Sequence, residues 1–214
     1  MPSVASIRCA VRSAAPARPG GPRRRADAVI EAAAEVFAAL GYHGASTQDV
    51  ADRLGMRQAS LYYYFRSKEA ALEQVCLRGV GDFLERAQEV ASGDGSATEK
   101  LVEIIRRHLK PAEERPAFVR CFLRERRFLP KDSRQRIGRL ARRYERILQD
   151  LIEAGIAAGE LRRDLDPRLA TLAVLGMCNA SVDWYGKEHG ASMTGIAESF
   201  ARIVVDGMAV RKRA

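Results

Sequence analysis

The 214-residue sequence has few of the features that make metal sites, disulfides or membrane spans. Its four cysteines show no C-x-x-C spacing and its three histidines do not cluster with them, so neither a zinc site nor a disulfide framework is predicted. The longest uncharged apolar stretch, residues 169–182, is 14 residues long, short of the roughly 20 that cross a bilayer. Residues 1–22 lack the apolar region of a secretory signal. We therefore expect a cytoplasmic protein with no metal, cofactor or membrane partner.

A recognisable catalytic constellation is also missing. The acidic pairs, such as Glu113 with Glu114 and Asp164 with Asp166, are adjacent or lie at predicted helix ends. No serine or histidine lies in a triad or nucleophile-turn motif. Acids in these positions are typical of helix starts and solvated turns, so the sequence predicts that the protein is not an enzyme.

The sequence is rich in apolar side chains and in basic charge. Hydrophobic residues make up 47% of the chain, enough to form a buried core. Lys and Arg number 36 against 27 Asp and Glu, which gives a net charge of +9. The basic surplus is uneven, since residues 95–150 contain 16 basic and 8 acidic side chains, whereas residues 22–68 contain 7 and 5. The basic surplus therefore lies mostly in the middle of the chain, away from the N-terminal segment.

The spacing of apolar residues predicts helices along most of the chain and no strand. An amphipathic first helix is expected to end at Gly41, and a second begins with the Ser46-x-x-Asp49 start signature and ends at Gly55. Farther on, the composition of residues 92–98 is typical of a linker. The chain is therefore expected to be all-α.

Start signatures also mark the last two predicted helices. Asp166 followed by Pro167 predicts the start of an almost fully apolar helix, which must be buried. Ser192 precedes the final helix, whose apolar residues lie on one face. These two helices offer more apolar surface than a monomer leaves in water.

The second and third helices have the length and the glycine-containing turn of a helix-turn-helix. In the third helix, Leu61 and Phe65 are expected to point inward. The positions left to face a DNA major groove are Gln58, Ala59, Tyr62 and Tyr63. A glutamine can pair with an adenine edge, and a tyrosine can donate to a phosphate. The alternative is that the tyrosines form a hydrophobic plug between helices.

Two sequence strings between Arg25 and Leu72 are informative, FAALGYHGAST and DVADRLGMRQASLYYYFRSKEAAL. Together they resemble the TetR family of one-component bacterial transcriptional regulators. The resemblance implies about nine helices, with a three-helix helix-turn-helix domain at residues 23–69 and a ligand-binding and dimerisation domain at residues 70–214. Residues 1–22 lie outside it and are expected to form a disordered tail, or else a basic arm that enters the minor groove.

The resemblance also implies which residues contact double-stranded operator DNA. The matches to phosphate-contacting positions are Thr47, Tyr62 and Lys68. The matches to base-proximal positions are Gln58, Ala59 and Tyr63. Gln48 completes the predicted set together with Arg57, which replaces a small capping residue of the family; this weakens the helix cap and adds a candidate DNA contact.

The strings GELRRDLDPRLA and DWYGKEHGASMTGIAESFARIVVDGM resemble the ligand-domain helices of members that regulate lipid and acyl-CoA metabolism. The resemblance implies a repressor that a small-molecule effector releases from its operator. The basic surplus of residues 95–150, interspersed with aromatic residues, favours an acyl-CoA thioester, because guanidinium groups pair with phosphates. The predicted ligand-binding residues are Phe118, Cys121, Phe122, Arg124, Tyr144, Met177 and Trp184.

Two other kinds of regulator remain open at this point. One is a redox sensor built on Cys121, which lies among arginines that would lower a thiol pKa. The interpretation favoured for Cys121 is a small buried apolar side chain in a helix, because free cysteines are usually buried. The other is a regulator of an efflux system with a hydrophobic ligand.

The last two helices are also the predicted dimer interface, because the same helices form a four-helix bundle in homodimers of the family. The predicted interface residues are Leu172, Leu175, Ile196, Phe200 and Val204.

Overall fold

The computed structural model describes residues 22–186 and 190–210, and nine α-helices account for most of these ranges. In chain order they are α1 (Pro22–Gly44), α2 (Thr47–Arg53), α3 (Gln58–Leu61), α4 (Lys68–Ser92), α5 (Ala97–Glu114), α6 (Pro116–Arg120), α7 (Lys131–Ala157), α8 (Pro167–Trp184) and α9 (Met193–Met208). A π-helical turn (Cys121–Glu125) and a 3-10 turn (Arg126–Phe128) connect α6 to α7. The predicted all-α fold is confirmed.

Two sequence predictions, those on the N-terminal tail and on membrane spans, can be compared only with the described residues. The predicted tail lies outside them as far as residue 21. No helix in the part of the chain that the structure describes is long and apolar enough to cross a membrane.

The helices begin at the capping residues that the sequence indicates. The Ser46 Oγ accepts the Asp49 N–H at 3.2 Å, and the Asp49 carboxylate accepts the Ser46 N–H at 2.9 Å, which completes a capping box on α2. Asp166 and Ser192 each accept a backbone N–H at the starts of α8 and α9. Each cap satisfies a backbone N–H that the first helical turn leaves free. Gly41 interrupts α1 with a φ of +68°, a conformation that glycine adopts without strain.

The chain folds into two compact units. The N-terminal unit contains the described residues as far as Gly79 and also Ala117–Ile137. The C-terminal unit contains Val80–Pro116 and the described residues from Gly138 onward. The boundary expected between residues 69 and 70 stays a prediction.

The core of the N-terminal unit anchors the helix-turn-helix. Phe37 from α1 is buried together with Leu61 and Phe65, as the sequence predicted for the last two. Leu72 and Val75 of α4 are fully buried in the same unit. Burial of each such side chain contributes about 1.5 to 3 kcal/mol. Since a helix as short as α3 is not stable alone, packing against this core holds it in place.

The core of the C-terminal unit is formed by α5, α7, α8 and α9 with the end of α4. Its fully buried large side chains are Leu101, Ile104, Ile105, Leu109, Leu148, Ile152 and Leu161. A Cβ atom on Gly155 would lie 2.8 Å from the Leu161 Cδ1, which explains the glycine at this point of α7. This apolar interior includes the predicted ligand-binding residue Tyr144, with Met177 and Trp184 packed against it.

Candidate DNA-binding surface and effector site

A tight turn connects α2 to α3. Gly55 adopts a φ of +62°, and its N–H donates to the Asp52 carbonyl at 3.1 Å. The next N–H, that of Met56, donates to the Ala51 carbonyl at 3.0 Å. These bonds end α2 and allow α3 to begin after one further residue, the arrangement expected of a helix-turn-helix.

A side-chain hydrogen bond links the first residue of α3 to the first residue of α2. The Gln58 Nε2 donates to the Thr47 Oγ1 at 2.8 Å, which leaves both side chains half-buried. Arg57 is the N-cap residue of α3, and its side chain makes no capping hydrogen bond. The weak cap that the sequence indicated is therefore present, and the exposed guanidinium is available to another partner.

The outer surface of α3 and of the turn after it is polar and aromatic. Tyr62 is 51% exposed and Tyr63 is 88% exposed, so these side chains do not form a buried plug. Tyr64 is half-buried, with its ring edge-on to that of Tyr63 at 5.2 Å. The predicted DNA-contacting residues Gln48, Arg57 and Ala59 are also exposed. Ser60, which the sequence analysis did not select, is exposed on the same turn.

Lys68 is fixed at the start of α4 by contacts with the end of α1. Its ammonium donates to the carbonyls of Tyr42 at 2.8 Å and Ala45 at 3.0 Å, and it lies 4.3 Å from the centre of the Tyr42 ring. An ammonium has three donors, so one remains for a phosphate. The predicted DNA contacts of these residues stay predictions.

Tyr42 is a positioning residue that the sequence analysis missed, although it lies within the string GYHGAST. Its hydroxyl donates to the Glu69 carboxylate. Burial, and then the Glu69 carboxylate, raise the pKa of Tyr42 to about 12, while the pKa of Glu69 is lowered chiefly by the same hydrogen bond. The side chain is therefore an uncharged link between α1 and the start of α4.

The predicted ligand-binding residues fall into two groups. The N-terminal unit contains Phe118, Cys121, Phe122 and Arg124, whereas the C-terminal unit contains Tyr144, Met177 and Trp184. Within the first group, Phe118 and Cys121 are buried in the packing of their own unit. The role of either group in binding an effector stays a prediction.

The expectation that arginines lower the pKa of the Cys121 thiol is wrong. Cys121 is fully buried, and its thiol donates to the Ala34 carbonyl at 3.4 Å. Burial raises the pKa of Cys121, and it raises the pKa of Cys76 and Cys178 to about 12. A thiol that stays protonated reacts poorly with oxidants, so the geometry does not favour a redox sensor at this position.

A buried polar relay lies in the C-terminal unit. The His108 Nε2 lies 3.1 Å from the Asn179 Oδ1, which can only accept, so Nε2 donates and Nδ1 accepts from the Tyr144 hydroxyl at 2.8 Å. Burial lowers the pKa of His108 to about 4, and the Asn179 hydrogen bond offsets only part of this effect. The relay is therefore neutral near pH 7. Of its three members, Tyr144 alone was predicted from the sequence as a site residue.

A narrow cleft with no room for a water molecule lies beside the relay. Its lining residues are Phe83, Arg86, Ala87, Ile104, Arg107, His108 and Tyr144. Both arginines are already paired, Arg107 with Glu89 and Glu103 at 2.8 Å each, and Arg86 with Glu114 at 3.6 Å. The cleft is too narrow to hold an acyl chain.

The relay predicts a pH dependence of stability. Since the folded-state pKa of His108 lies near 4 and the ordinary value near 6.5, the unfolded chain takes up the proton first as the pH falls. The free energy of unfolding should therefore be unaffected by His108 above pH 6.5 and should fall by about 3 kcal/mol between pH 6.5 and 4.

Urea unfolding between pH 7 and 4.5 checks this expectation against the variant His108→Gln, which retains polar groups and does not titrate. The variant should be less stable at pH 7 and should lose less stability on acidification, the remaining loss being due to carboxylates. Equal losses in the two proteins would show that His108 does not titrate in this way.

The exposed apolar surface of the last two helices differs from the predicted dimer interface. Of the predicted residues, Leu175, Ile196 and Val204 are only 7–8% exposed and pack mainly within the protomer's own core, and their place in the interface stays a prediction. Phe200 is half-buried and packs against Trp184 at 6.2 Å.

The large apolar side chains that α8 and α9 do expose are Leu169 (64%), Leu172 (44%) and Ile203 (61%). Leu172 is the one member of the predicted set among them. The dimer interface itself stays a prediction, now placed on this exposed face.

The outward face of α7 is basic. Its exposed arginines in the C-terminal unit are Arg139, Arg142, Arg143 and Arg146. None of the four forms an ion pair with a carboxylate within the described residues, whereas Arg136, one turn earlier, is paired with Glu73. These guanidinium groups are therefore available to an external anion.

Comparison with known families gives two matches that together span most of the chain. Residues 29–75 match the model of bacterial regulatory proteins of the tetR family. Residues 94–208 match the model of the tetracyclin repressor-like C-terminal domain.

Two relatives match the chain over most of their length. This chain is 30% identical to the fatty acid metabolism regulator protein of Bacillus subtilis (strain 168) over 183 residues. The match covers 84% of this chain and 93% of the relative. This chain is 29% identical to the HTH-type transcriptional repressor KstR2 of Mycolicibacterium smegmatis over 204 residues, which is 91% of this chain and 95% of the relative.

A solved structure is similar over the same extent. The crystal structure of the regulator FadR from Bacillus subtilis in complex with stearoyl-CoA superposes with a TM-score of 0.73 at 28% sequence identity. The match covers 85% of this chain and 98% of that one.

Proposed function

This chain belongs to the TetR family of bacterial regulatory proteins, and we propose that it is a homodimeric repressor that releases its operator when it binds an acyl-CoA thioester. It is a DNA-binding transcriptional regulator, as its family is. Dimerisation, repression and the chemistry of the effector are the proposed part. The relative named as the repressor KstR2 supports repression.

The DNA-binding role rests on one observation, the exposure of Tyr62 and Tyr63 on an element anchored by buried Leu61 and Phe65. This arrangement presents polar aromatic side chains while their backbone stays fixed. We infer that Tyr63 and Gln58 contact base edges in the major groove. The residues that we assign to phosphates are Thr47, Tyr62 and Lys68.

The proposal of an acyl-CoA effector has two supports. The first is the similar FadR structure, which was solved in complex with stearoyl-CoA. The second is the pairing of an apolar C-terminal core with exposed arginines on α7, because an acyl-CoA combines an apolar chain with phosphates. We infer that the acyl chain enters the core near Tyr144, Met177 and Trp184.

The narrow cleft beside Tyr144 suggests how binding could be coupled to release. Since this cleft is too small for an acyl chain, an effector that binds beside Tyr144 needs a more open form of the C-terminal unit. A ligand that binds one form better than another shifts the population toward it. Release follows if the open form matches the operator less well than the closed form does.

Fluorescence anisotropy of the operator complex tests the effector. An operator can be obtained by repeated selection from random duplexes, and the complex is then titrated with acyl-CoAs of several chain lengths, the matching free acids and CoA alone. We expect release by long-chain acyl-CoAs, and no release by free acids or CoA at the same concentration. Equal release by the free acids would contradict a role for the phosphates.

The same titration distinguishes the efflux alternative. Release by uncharged hydrophobic compounds, with no response to any acyl-CoA, would favour a regulator with a hydrophobic ligand and would contradict the proposed effector.

A further inference from the structure

The segment Ala117–Ile137, called the basic segment below, belongs to the N-terminal unit although α4 and α5 separate it from the helix-turn-helix in the sequence. It contains seven basic and two acidic side chains. Six of the basic side chains are exposed: Arg120, Arg124, Arg127, Lys131, Arg134 and Arg136. The unit that contains α3 therefore has a second basic surface outside α2 and α3.

The two acids of the basic segment do not neutralise this surface. Glu125 accepts the Tyr42 N–H at 2.8 Å, which directs its carboxylate toward α1. Asp132 is exposed and forms no ion pair within the described residues. Arg127, Lys131 and Arg134 likewise have no carboxylate partner in those ranges. Three exposed positive charges thus lie within eight residues of sequence without a carboxylate partner in the described ranges, and they would attract an anion.

A series of ring contacts places the basic segment next to Lys68, the predicted phosphate contact. The Lys68 ammonium lies 4.3 Å from the centre of the Tyr42 ring. The Tyr42 ring stacks on that of Phe128 with centroids 5.7 Å apart, and the Arg127 guanidinium lies 4.7 Å from the centre of the Phe128 ring. Lys68 and Arg127 each contact a ring of the same two-ring stack. His43, exposed at the end of α1, packs edge-on against the same Phe128 ring at 4.6 Å.

We propose that the basic segment is a second DNA-contacting surface, which binds the phosphate backbone of the operator beside the groove that α3 enters. The proposal rests on the proposed DNA-binding function. It adds a second surface of the protein that contacts the same DNA duplex. Arginine and lysine contacts to phosphates supply affinity without sequence preference and make binding salt-dependent. Contacts of this kind would hold α3 in register while Gln58 and Tyr63 contact bases.

A triple variant that removes three positive charges tests the proposal. Arg127→Gln, Lys131→Gln and Arg134→Gln are combined, and the matched control combines Arg139→Gln, Arg142→Gln and Arg143→Gln on α7. Both sets are exposed and remove the same charge, but the control lies in the C-terminal unit. Fluorescence anisotropy at several salt concentrations gives the slope of log K against log salt for the operator and for a random duplex.

We expect the magnitude of the slope to fall by about 0.9 for each phosphate that the variant no longer neutralises, hence by about two or more for a dimer in which each subunit releases at least one phosphate. Affinities for the operator and for the random duplex should fall by the same factor, because phosphates are common to both. The α7 control should keep a slope close to that of the wild type. The charge-conserving variant with Arg127→Lys and Arg134→Lys should keep it too, which separates the effect of charge from that of packing.

An equal effect of the α7 control would show that only net charge matters, and an unchanged slope in the triple variant would show that the basic segment contacts no DNA. Either result would overturn the proposal. The proposed function is judged separately, since the triple variant should still release its operator on addition of stearoyl-CoA. Failure of the wild-type protein to prefer any DNA sequence would contradict that function rather than the role of the basic segment.

Discussion

Replacement of Tyr63 by alanine should weaken operator binding by about 30-fold or more without lowering the stability of the protein. The side chain is 88% exposed, so its removal leaves no cavity. A contact to a base edge contributes about 1–3 kcal/mol to discrimination, and a dimer makes it twice. About 2 kcal/mol corresponds to roughly 30-fold in affinity. Fluorescence anisotropy measures the first effect, and thermal unfolding measures the second.

Random duplex DNA is the internal control for this variant. Tyr63→Ala should bind it as tightly as the wild type does, because non-specific binding depends on phosphates. Gln58→Ala should also weaken operator binding, and it additionally breaks the 2.8 Å hydrogen bond to Thr47. If both variants bind a good operator as the wild type does, α3 is not the recognition helix.

Replacement of Ile203 by aspartate should convert the dimer to a monomer and weaken operator binding by about 100-fold or more. Ile203 is 61% exposed in the protomer, and Leu169 and Leu172 are exposed on the neighbouring helix α8. An aspartate at the centre of a dimer interface would be buried without a partner, at a cost of several kcal/mol. A monomer also contacts one half-site in place of two. Light scattering after size-exclusion chromatography gives the oligomeric state.

Two variants make this result interpretable. Tyr63→Ala changes an exposed side chain of the other unit and should remain a dimer. Ile196→Asp places the same charge in the protomer core, because Ile196 is buried, and should unfold the C-terminal unit. If Ile203→Asp is still a dimer that binds its operator, the interface does not lie on the exposed face of α8 and α9.

The parts of the fold that depend on neighbouring residues could be predicted from the sequence. Ser46, Asp166 and Ser192 cap their helices because a cap needs only the next three residues. Leu61 and Phe65 are buried as their four-residue spacing predicted, although α3 ends at Leu61 and Phe65 follows the turn after it. The exposure of Tyr63 follows from the same spacing.

The features that depend on distant residues could not be predicted in this way. His108 and Asn179 meet across 71 positions of sequence, and no local pattern indicates that Asn179 reaches the imidazole. The redox alternative for Cys121 depended on arginines that are near in sequence, whereas the pKa of the thiol is set by its burial among residues distant in sequence. Val204 is apolar on the expected face of α9, but the sequence does not show whether that face packs within the protomer or against a partner.

Isothermal titration of the wild-type dimer with stearoyl-CoA, with and without saturating operator DNA, tests the proposed regulation most directly. If effector and operator favour different forms of one protein, each must weaken the binding of the other by the same factor, typically about 5- to 150-fold. We expect operator DNA to raise the Kd for stearoyl-CoA by the factor by which stearoyl-CoA raises the Kd for the operator. The same Kd for stearoyl-CoA with and without the operator would contradict control of DNA binding by an acyl-CoA.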